Sequence, residues 1–196
     1  YKERAEVKKI IMDLSTLFRS VAKTMFPEAK IVADKFHVIR VVINSLENVR
    51  KRIQKEFHAT KRKWFKRSRY LLLKPEYKLT SEDKIELARM LNSSYDLEKA
   101  YVLKERFYEV FRKQTRTEAK KELGNWLLLA ADLSLPEFRH CITTFSNWKT
   151  EIANIIGERV SNGFIEGSNN KIKVLKRISY GVRNFDRFRN RILYLE

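Results

Sequence analysis

The beginning of the chain alternates short strand-like runs with one amphipathic segment. Residues Val7 to Met12 predict a strand that ends at Asp13, and Ile31 to Ala33 predict a second strand that ends at Asp34. Between them, a helical period stops at Pro27 and predicts an inward apolar face, which consists of Leu14, Leu17, Phe18, Val21, Ala22 and Met25. Strand, helix and strand in so short a span indicate a βαβ unit, whose parallel strands place Asp13 and Asp34 at one edge of the sheet.

Two parallel strands do not make a stable sheet by themselves. Parallel sheets need more strands and cover on both faces. We therefore expect the remaining strands to come from a segment upstream of Tyr1, or else from another chain.

From Phe36 onward the pattern is almost wholly helical for more than a hundred residues. One apolar stripe runs from Ile39 to Phe57 at helical spacing. Patterns of the capping-box type predict four further helix starts, at Thr80 with Asp83, Ser93 with Asp96, Thr115 with Glu118, and Ser134 with Glu137. The chain is thus expected to contain a partial α/β core at residues 1–44, an all-helical insertion at 45–155 and C-terminal core helices at 156–196.

A basic amphipathic helix is predicted near the end of the chain, from Arg159 to about Arg177. At about 100° per residue, its apolar arc holds Phe164, Ile165, Ile172 and Leu175. The opposite arc carries one acid, Glu166, among amides and cations, namely Asn162, Asn169, Asn170, Lys173 and Arg177. Such an acid could bind a metal beside a phosphate backbone, or the arc could be an ordinary solvated helix face.

A turn at Tyr180-Gly181 and a cap at Asn184 predict one more helix after this one. Two helices joined by a short turn that contains glycine describe either a DNA-reading helix-turn-helix or a plain helical hairpin. The spacing does not distinguish the two.

The balance of charge points to a polyanionic partner. The chain has 42 Lys and Arg against 24 Asp and Glu, a formal net charge of +18, which favours nucleic acid. No apolar run is long enough to span a membrane and no signal peptide opens the chain, so we expect a cytoplasmic protein with no membrane partner. The single Cys141 lies in a helical apolar pattern and is expected to be a core thiol.

Two segments concentrate the positive charge. Residues 50–69 hold ten Lys or Arg and one acid, and residues 171–191 hold eight against one. Basic side chains neutralise phosphates, whereas the aromatic residues of the first segment are expected to pack inward. The candidate DNA contacts are Arg50, Lys51, Arg52, Lys61, Arg62, Lys63, Asn162, Asn169, Asn170, Lys173, Lys176 and Arg177.

Three ordered blocks carry a resemblance to a known family. They are MDLSTLF around Asp13, PEAKIVADKFHVIR around Asp34 and His37, and SNGFIEGSNNKIKVLKRISYGVRNFDRFRNRILY around Glu166. Together they resemble the DDE transposases of bacterial insertion sequences of the ISL-three type. The resemblance implies an RNase H-like core interrupted by a helical insertion, a protein of the nucleoid that acts on transposon ends and target DNA, and a homo-oligomer when active.

The resemblance also implies roles for individual residues. Asp13 resembles the second catalytic aspartate and Glu166 the final glutamate, and both would bind Mg²⁺ or Mn²⁺, which prefer oxygen ligands. Asp34 and His37 resemble an accessory Asp-x-x-His element of related transposases, although Asp34 could equally be a helix N-cap. Zinc is disfavoured because Cys141 stands alone and no paired histidine spacing occurs.

One part of the family pattern is missing. The first catalytic aspartate should stand on a strand before Asp13, and only YKERAEVKKIIM precedes it. We therefore expect the chain to be the C-terminal part of a transposase and to be inactive alone. The alternative is a noncatalytic basic helical module that binds DNA or RNA.

Overall fold

The computed structural model describes residues 2–158 and 163–194, and of residues 2, 3 and 164–166 it describes the backbone only. The chain forms two compact units, residues 1–158 and residues 159–196. The described chain is mostly helical and contains a single two-stranded sheet.

The first unit begins with a 3₁₀ turn, Lys2–Glu6, followed by strand β1 (Lys9–Met12), helix α1 (Thr16–Met25) and strand β2 (Lys30–Ala33). The strands are parallel and in register from Lys9 opposite Lys30 to Met12 opposite Ala33. The predicted βαβ order is confirmed, although β1 starts two residues later than the predicted Val7. Ser15 caps α1, its side chain accepting a hydrogen bond from the backbone N–H of Phe18.

The predicted inward face of α1 is wrong in this unit. Ala22 is buried, but Leu17 and Phe18 are 69% and 60% exposed, and Val21 and Met25 are also exposed. A helix has to lie against a wider surface to bury such a stripe, and two short strands do not provide it.

The rest of the first unit is a helical body. Its helices are α2 (Lys35–Gln54), α3 (Ala59–Arg67), α4 (Arg69–Leu73), α5 (Ser81–Leu91), α6 (Tyr95–Val110), α7 (Arg116–Leu133), α8 (Arg139–Asn147) and α9 (Lys149–Ala153), with 3₁₀ turns at Glu76–Lys78 and Pro136–Phe138. The stripe predicted for α2 is confirmed, because Val42, Leu46, Val49 and Ile53 are all buried.

The core of this body is aromatic. Phe107 on α6 stacks on Phe145 on α8 with ring centroids 5.1 Å apart, and its edge meets Trp126 on α7 at 5.0 Å. Trp126 donates its indole N–H to the carbonyl of Leu103 at 2.8 Å. Cys141 lies in this core as predicted, and burial raises the pKa of its thiol to about 11.

The predicted helix starts have mixed outcomes. Thr115 and Glu118 form the full reciprocal box, and Thr80 caps α5 through the backbone N–H of Asp83. The start predicted at Ser93 falls one residue later, at Ser94. The start at Ser134 is wrong, since Ser134 ends α7 in the left-handed conformation (φ 54°) and its hydroxyl donates to the carbonyl of Ala131.

The second unit is a helical hairpin of α10 (Gly163–Ile178) and α11 (Phe185–Leu193). Tyr180 and Gly181 take the left-handed conformation that the turn requires, with φ of 44° and 87°. Asn184 caps α11 as predicted, accepting from the backbone N–H of Arg187 at 3.1 Å. Arg159 and Asn162 lie outside the described residues, as do the side chains of Phe164, Ile165 and Glu166.

Candidate functional site

The ends of the two parallel strands bring Asp13 and Asp34 together, as the βαβ pattern predicts. Each residue directly follows its strand, and the N–H of Asp34 donates to the carbonyl of Met12 at 2.7 Å. The two carboxylates differ in access. The Asp13 side chain is 52% exposed, whereas that of Asp34 is 5% exposed. Asp13 is therefore the carboxylate that a ligand from solvent can reach.

Asp34 has a structural task of its own. It is the N-cap of α2, and its Oδ1 accepts a hydrogen bond from the backbone N–H of His37 at 3.1 Å. The N-cap interpretation of the Asp-x-x-His spacing is thus confirmed.

His37 lies between the two carboxylates. Its Nδ1 is 3.0 Å from Asp13 Oδ1 and 3.3 Å from Asp34 Oδ1. The nitrogen nevertheless makes no directed hydrogen bond to either oxygen.

The donor set at this edge suits a hard cation only in part. Carboxylate oxygens are the ligands that Mg²⁺ and Mn²⁺ prefer, and Asp13 is accessible. Within residues 2–158 and 163–194, however, no group of three or more His, Cys, Asp or Glu side chains is arranged to hold a metal ion. A metal at Asp13 would thus need ligands beyond these, and the Glu166 side chain is not among the described ones.

At the other end of the sheet, a single carboxylate fixes the start of both strands. Glu158 accepts from Lys9 at 2.7 Å and from Lys30 at 2.8 Å, the first residues of β1 and β2, and from Arg116 of α7 at 3.0 Å. Its side chain is 4% exposed. The hydrogen bonds from Lys30 and Lys9 lower the pKa of this carboxyl to about 2. The sequence analysis missed Glu158, which lies far along the chain from the strands it holds.

Helix α1 is attached to the helical body by one arginine. Arg19 donates to the backbone carbonyl of Asn147 at 2.8 Å and to its side-chain Oδ1 at 3.0 Å. Its guanidinium lies 4.2 Å from the ring centroid of Trp148 and 3.5 Å from Glu151. Together with the contacts of Glu158 at the start of both strands, this contact positions the βαβ unit against the helices.

The basic segment at residues 50–69 separates into internal and free cations. Arg50 is buried and paired with Glu47 and Gln54, and Arg52 is paired with Glu137 and Asp96, which raise its pKa. These two arginines take part in the fold. By contrast, the cations of α3 have no salt bridge to any described residue, namely Lys61, Arg62, Lys63, Lys66 and Arg67.

The aromatic residues of this segment pack inward, as expected. Phe65 is fully buried, Phe57 packs against its edge with centroids 4.9 Å apart, and the indole N–H of Trp64 is hydrogen-bonded to Glu86. The outward side of α3 is consequently cationic and has little apolar character. It can neutralise phosphates but offers no stacking surface.

The second unit exposes the polar arc that its sequence predicts. Asn169, Asn170, Lys173 and Arg177 of α10 are exposed, while Leu175 is buried. Lys173, Lys176 and Arg177 line a groove of about 480 Å³ with Gly181, Val182 and Phe188. In the described part of the unit, no carboxylate pairs with these three cations.

Throughout the described ranges, the model contains no helix whose length and apolar character would let it cross a membrane.

Comparison with known proteins gives the family of this chain. The family model of transposases of the ISL-three (ISL3) type, DDE class, matches residues 1–192. The chain therefore belongs to this family.

Curated relatives agree with the family. The chain is 27% identical over 203 residues to the transposase for insertion sequence element IS1557 of Mycobacterium tuberculosis, covering 92% of this chain and 46% of that protein. It is 26% identical over 186 residues to the transposase for insertion sequence element IS1001 of Bordetella parapertussis, covering 93% of this chain and 46% of that protein. The chain thus spans about half the length of these relatives.

A third match is shorter. A protein of Lactococcus lactis with the name ATP-dependent protease is 36% identical over 94 residues, which are 47% of this chain and 26% of that protein. It covers too little of either chain to carry an argument. No solved structure matches the chain.

Proposed function

We propose that this chain is the C-terminal part of a DNA transposase whose whole protein cleaves and joins phosphodiester bonds at the ends of an insertion sequence. The observation that carries the proposal is the half-exposed carboxylate of Asp13 at the end of β1, beside the parallel strand that ends at Asp34. Membership of the ISL-three family supports the same reaction. The acting form is a homo-oligomer that binds transposon ends and target DNA.

The proposal includes an RNase H-like core that is larger than the sheet described. Two observations support further strands in the whole protein, namely the two-stranded parallel sheet and the exposed apolar face of α1. The relatives' greater length leaves room for such strands. Residues 1–44 then belong to the core, 45–155 are an insertion, and 156–196 return to the core with the glutamate.

Asp13 and Glu166 are the proposed metal ligands of this chain. Asp13 is accessible at a strand end, and Glu166 belongs to α10, whose exposed neighbours Asn169 and Asn170 lie one turn further on. The third carboxylate comes from the additional strands. Bound Mg²⁺ or Mn²⁺ would stabilise charge on the attacking and leaving oxygens of an in-line displacement.

Asp34 and His37 have a positioning role in this proposal. Asp34 caps α2 and holds His37 against Asp13, with His37 Nδ1 3.0 Å from Asp13 Oδ1. The imidazole limits the rotation of the Asp13 carboxylate and so keeps it directed to one side of the strand end.

DNA contacts are proposed for the free cations and amides. They are Lys51, Lys61, Arg62 and Lys63 of the first unit, and Asn162, Asn169, Asn170, Lys173, Lys176 and Arg177 of the second. Burial of Arg50 and the two ion pairs of Arg52 remove these two residues from the contact set. If six to ten phosphates are neutralised, the affinity for DNA falls roughly 10³- to 10⁵-fold between about 50 and 200 mM salt.

The test compares this chain with the same chain extended by the additional strands. The assay is Mg²⁺-dependent cleavage of DNA that carries the element ends. The short chain should be inactive and the extended chain active, and Asp13→Asn or Glu166→Gln should abolish that activity, since metal ligands act as a unit. Both substitutions should leave DNA binding intact, because each removes a negative charge. Full activity of extended Glu166→Gln would refute the assignment.

The second candidate is a noncatalytic DNA- or RNA-binding module. The observation that favours it is the set of unpaired cations on α3 and in the second unit, beside a described chain that has no three-ligand metal group. Cation dependence separates the two functions. Binding without any Mg²⁺-dependent cleavage by the extended chain would establish the module.

A further inference from the structure

The groove between α10 and α11 is lined by both cationic and apolar side chains. The cations are Lys173, Lys176 and Arg177, and the apolar lining comes from Phe188 and Val182. Its volume of about 480 Å³ lies within the roughly 300–1,000 Å³ of small-molecule sites. The groove can therefore hold a planar group as well as a phosphate.

The shape of the groove is set by the turn and the contacts that join α10 to α11. Gly181 at φ 87° turns the chain, and Asn184 starts α11 by accepting from the N–H of Arg187. Arg191 donates to the hydroxyl of Ser179 at 3.1 Å, and that hydroxyl donates to the carbonyl of Leu175 at 2.7 Å. These contacts tie the second helix to the end of the first. Phe188 on the second helix is half-buried and lines the groove.

We propose that this groove binds one unpaired nucleotide of DNA, with its phosphate on Lys176 and Arg177 and its base against Phe188. The inference rests on the proposed function and assigns a new role to Phe188. Duplex phosphates would need only the cations, whereas an aromatic face beside them suits an exposed base. Single-stranded overhangs and frayed duplex ends supply such a base.

The test uses the full chain and three DNA probes of equal duplex length. The first is blunt, the second has a short overhang, and the third has the same overhang with abasic residues, so that its phosphates are kept and its bases removed. Stacking of a base on an aromatic ring changes affinity by roughly 5- to 150-fold. The normal overhang should therefore bind more tightly than the abasic one by a factor in that range.

Variants test whether the preference for the normal over the abasic overhang arises in the groove. Phe188→Leu should bring the ratio of affinities for normal and abasic overhangs close to one, and leave the blunt duplex nearly unchanged. Arg177→Gln should weaken binding to both overhangs. The matched controls are Phe185→Leu and Arg189→Gln, which both lie on α11, the helix of Phe188, and do not line the groove. Both should keep the wild-type ratio.

Each outcome of these measurements either supports or overturns the inference. An equal affinity of the wild-type chain for normal and abasic overhangs would overturn the inference, as would a preference that survives in Phe188→Leu or disappears equally in Phe185→Leu. If Phe188→Leu does not fold, the variants of the exposed Arg177 and Arg189 test the inference instead. Only Arg177→Gln should weaken binding to the overhang more than binding to the blunt duplex. Absence of binding to all three probes would instead refute the proposed function.

Discussion

Helices α1 and α6 both carry apolar residues at helical spacing but differ in what covers them. On α6, Leu97, Leu103 and Phe107 are buried by α2 and α7. On α1, Phe18 and Leu17 remain exposed, and the helix is held by a polar contact from Arg19. An apolar stripe thus becomes part of a core only where another surface packs against it. The helical body supplies that surface for α6 but not for α1.

The difference has a functional meaning under our proposal. The helical body packs around its own aromatic core. The two-stranded sheet that carries Asp13 is held at its start by the ion pairs of Glu158, and α1 is held by the contacts of Arg19. Under the proposed function, this chain would fold and bind DNA but would need the further strands in order to react.

The largest effect is expected in the aromatic core. Phe107→Ala should destabilise the first unit by about 3–5 kcal/mol, because it leaves a cavity between Trp126 and Phe145. Urea unfolding followed by tryptophan fluorescence measures this, since Trp64, Trp126 and Trp148 all belong to the first unit. The control is Tyr95→Ala on the exposed side of α6. Equal losses in both variants would contradict the comparison.

A smaller loss is expected at the buried Lys104. Its ammonium donates to the carbonyls of Leu72 at 2.9 Å and Lys74 at 2.7 Å, while burial lowers its pKa. Lys104→Met removes the donor from both carbonyls and should cost about 1–3 kcal/mol in urea unfolding. Lys120→Met, at an exposed position of α7, serves as the control and should change little. A Lys104→Met variant as stable as the control would show that the amine contributes nothing.

The stability of the two-stranded sheet should respond to pH through Glu158. The pKa of this carboxyl is lowered from 4.5 to about 2 in the folded chain, so its stabilisation is complete above about pH 4.5 and is lost as the pH falls toward 2. Glu158→Gln should therefore lower the unfolding midpoint at neutral pH, and the difference from the wild type should shrink between about pH 5 and pH 2. Thermal unfolding across that range measures it.

The matched control for this variant is Glu98→Gln, an exposed residue of α6. Its difference from the wild type should be small at every pH. A difference at Glu158 that stays constant down to about pH 2 would mean that the loss of stability does not arise from the charge of this carboxylate.

The smallest effect is expected on α1. Phe18→Ala should change the free energy of unfolding of this chain by less than about 0.5 kcal/mol, because the ring is 60% exposed. In the chain extended by the additional strands, the same substitution should cost several-fold more. Unfolding of both pairs in urea tests this. A large loss already in the short chain would show that the face of α1 is covered there.

Local patterns predicted much of the fold because their causes are local. The stripe of α2 follows from helical geometry, and the box of Thr115 and Glu118 needs only neighbouring residues. The meeting of Asp13 and Asp34 also follows from the parallel strands of a βαβ unit, whose carboxyl ends lie at the same edge of the sheet. Ser134 was misassigned because a serine can satisfy the last carbonyls of a helix as well as the first N–H groups.

The order of the elements, the proximity of the strand-end aspartates and the excess of positive charge can be read from the sequence, since each depends on backbone geometry or composition. Which cations are free depends on the folded chain, because Arg50 and Lys61 look alike in a basic run until Glu47 is placed beside one of them. The tertiary structure also placed Glu158 across the start of both strands and left the face of α1 open. Those outcomes depend on contacts between residues far apart in the chain, which local spacing does not encode.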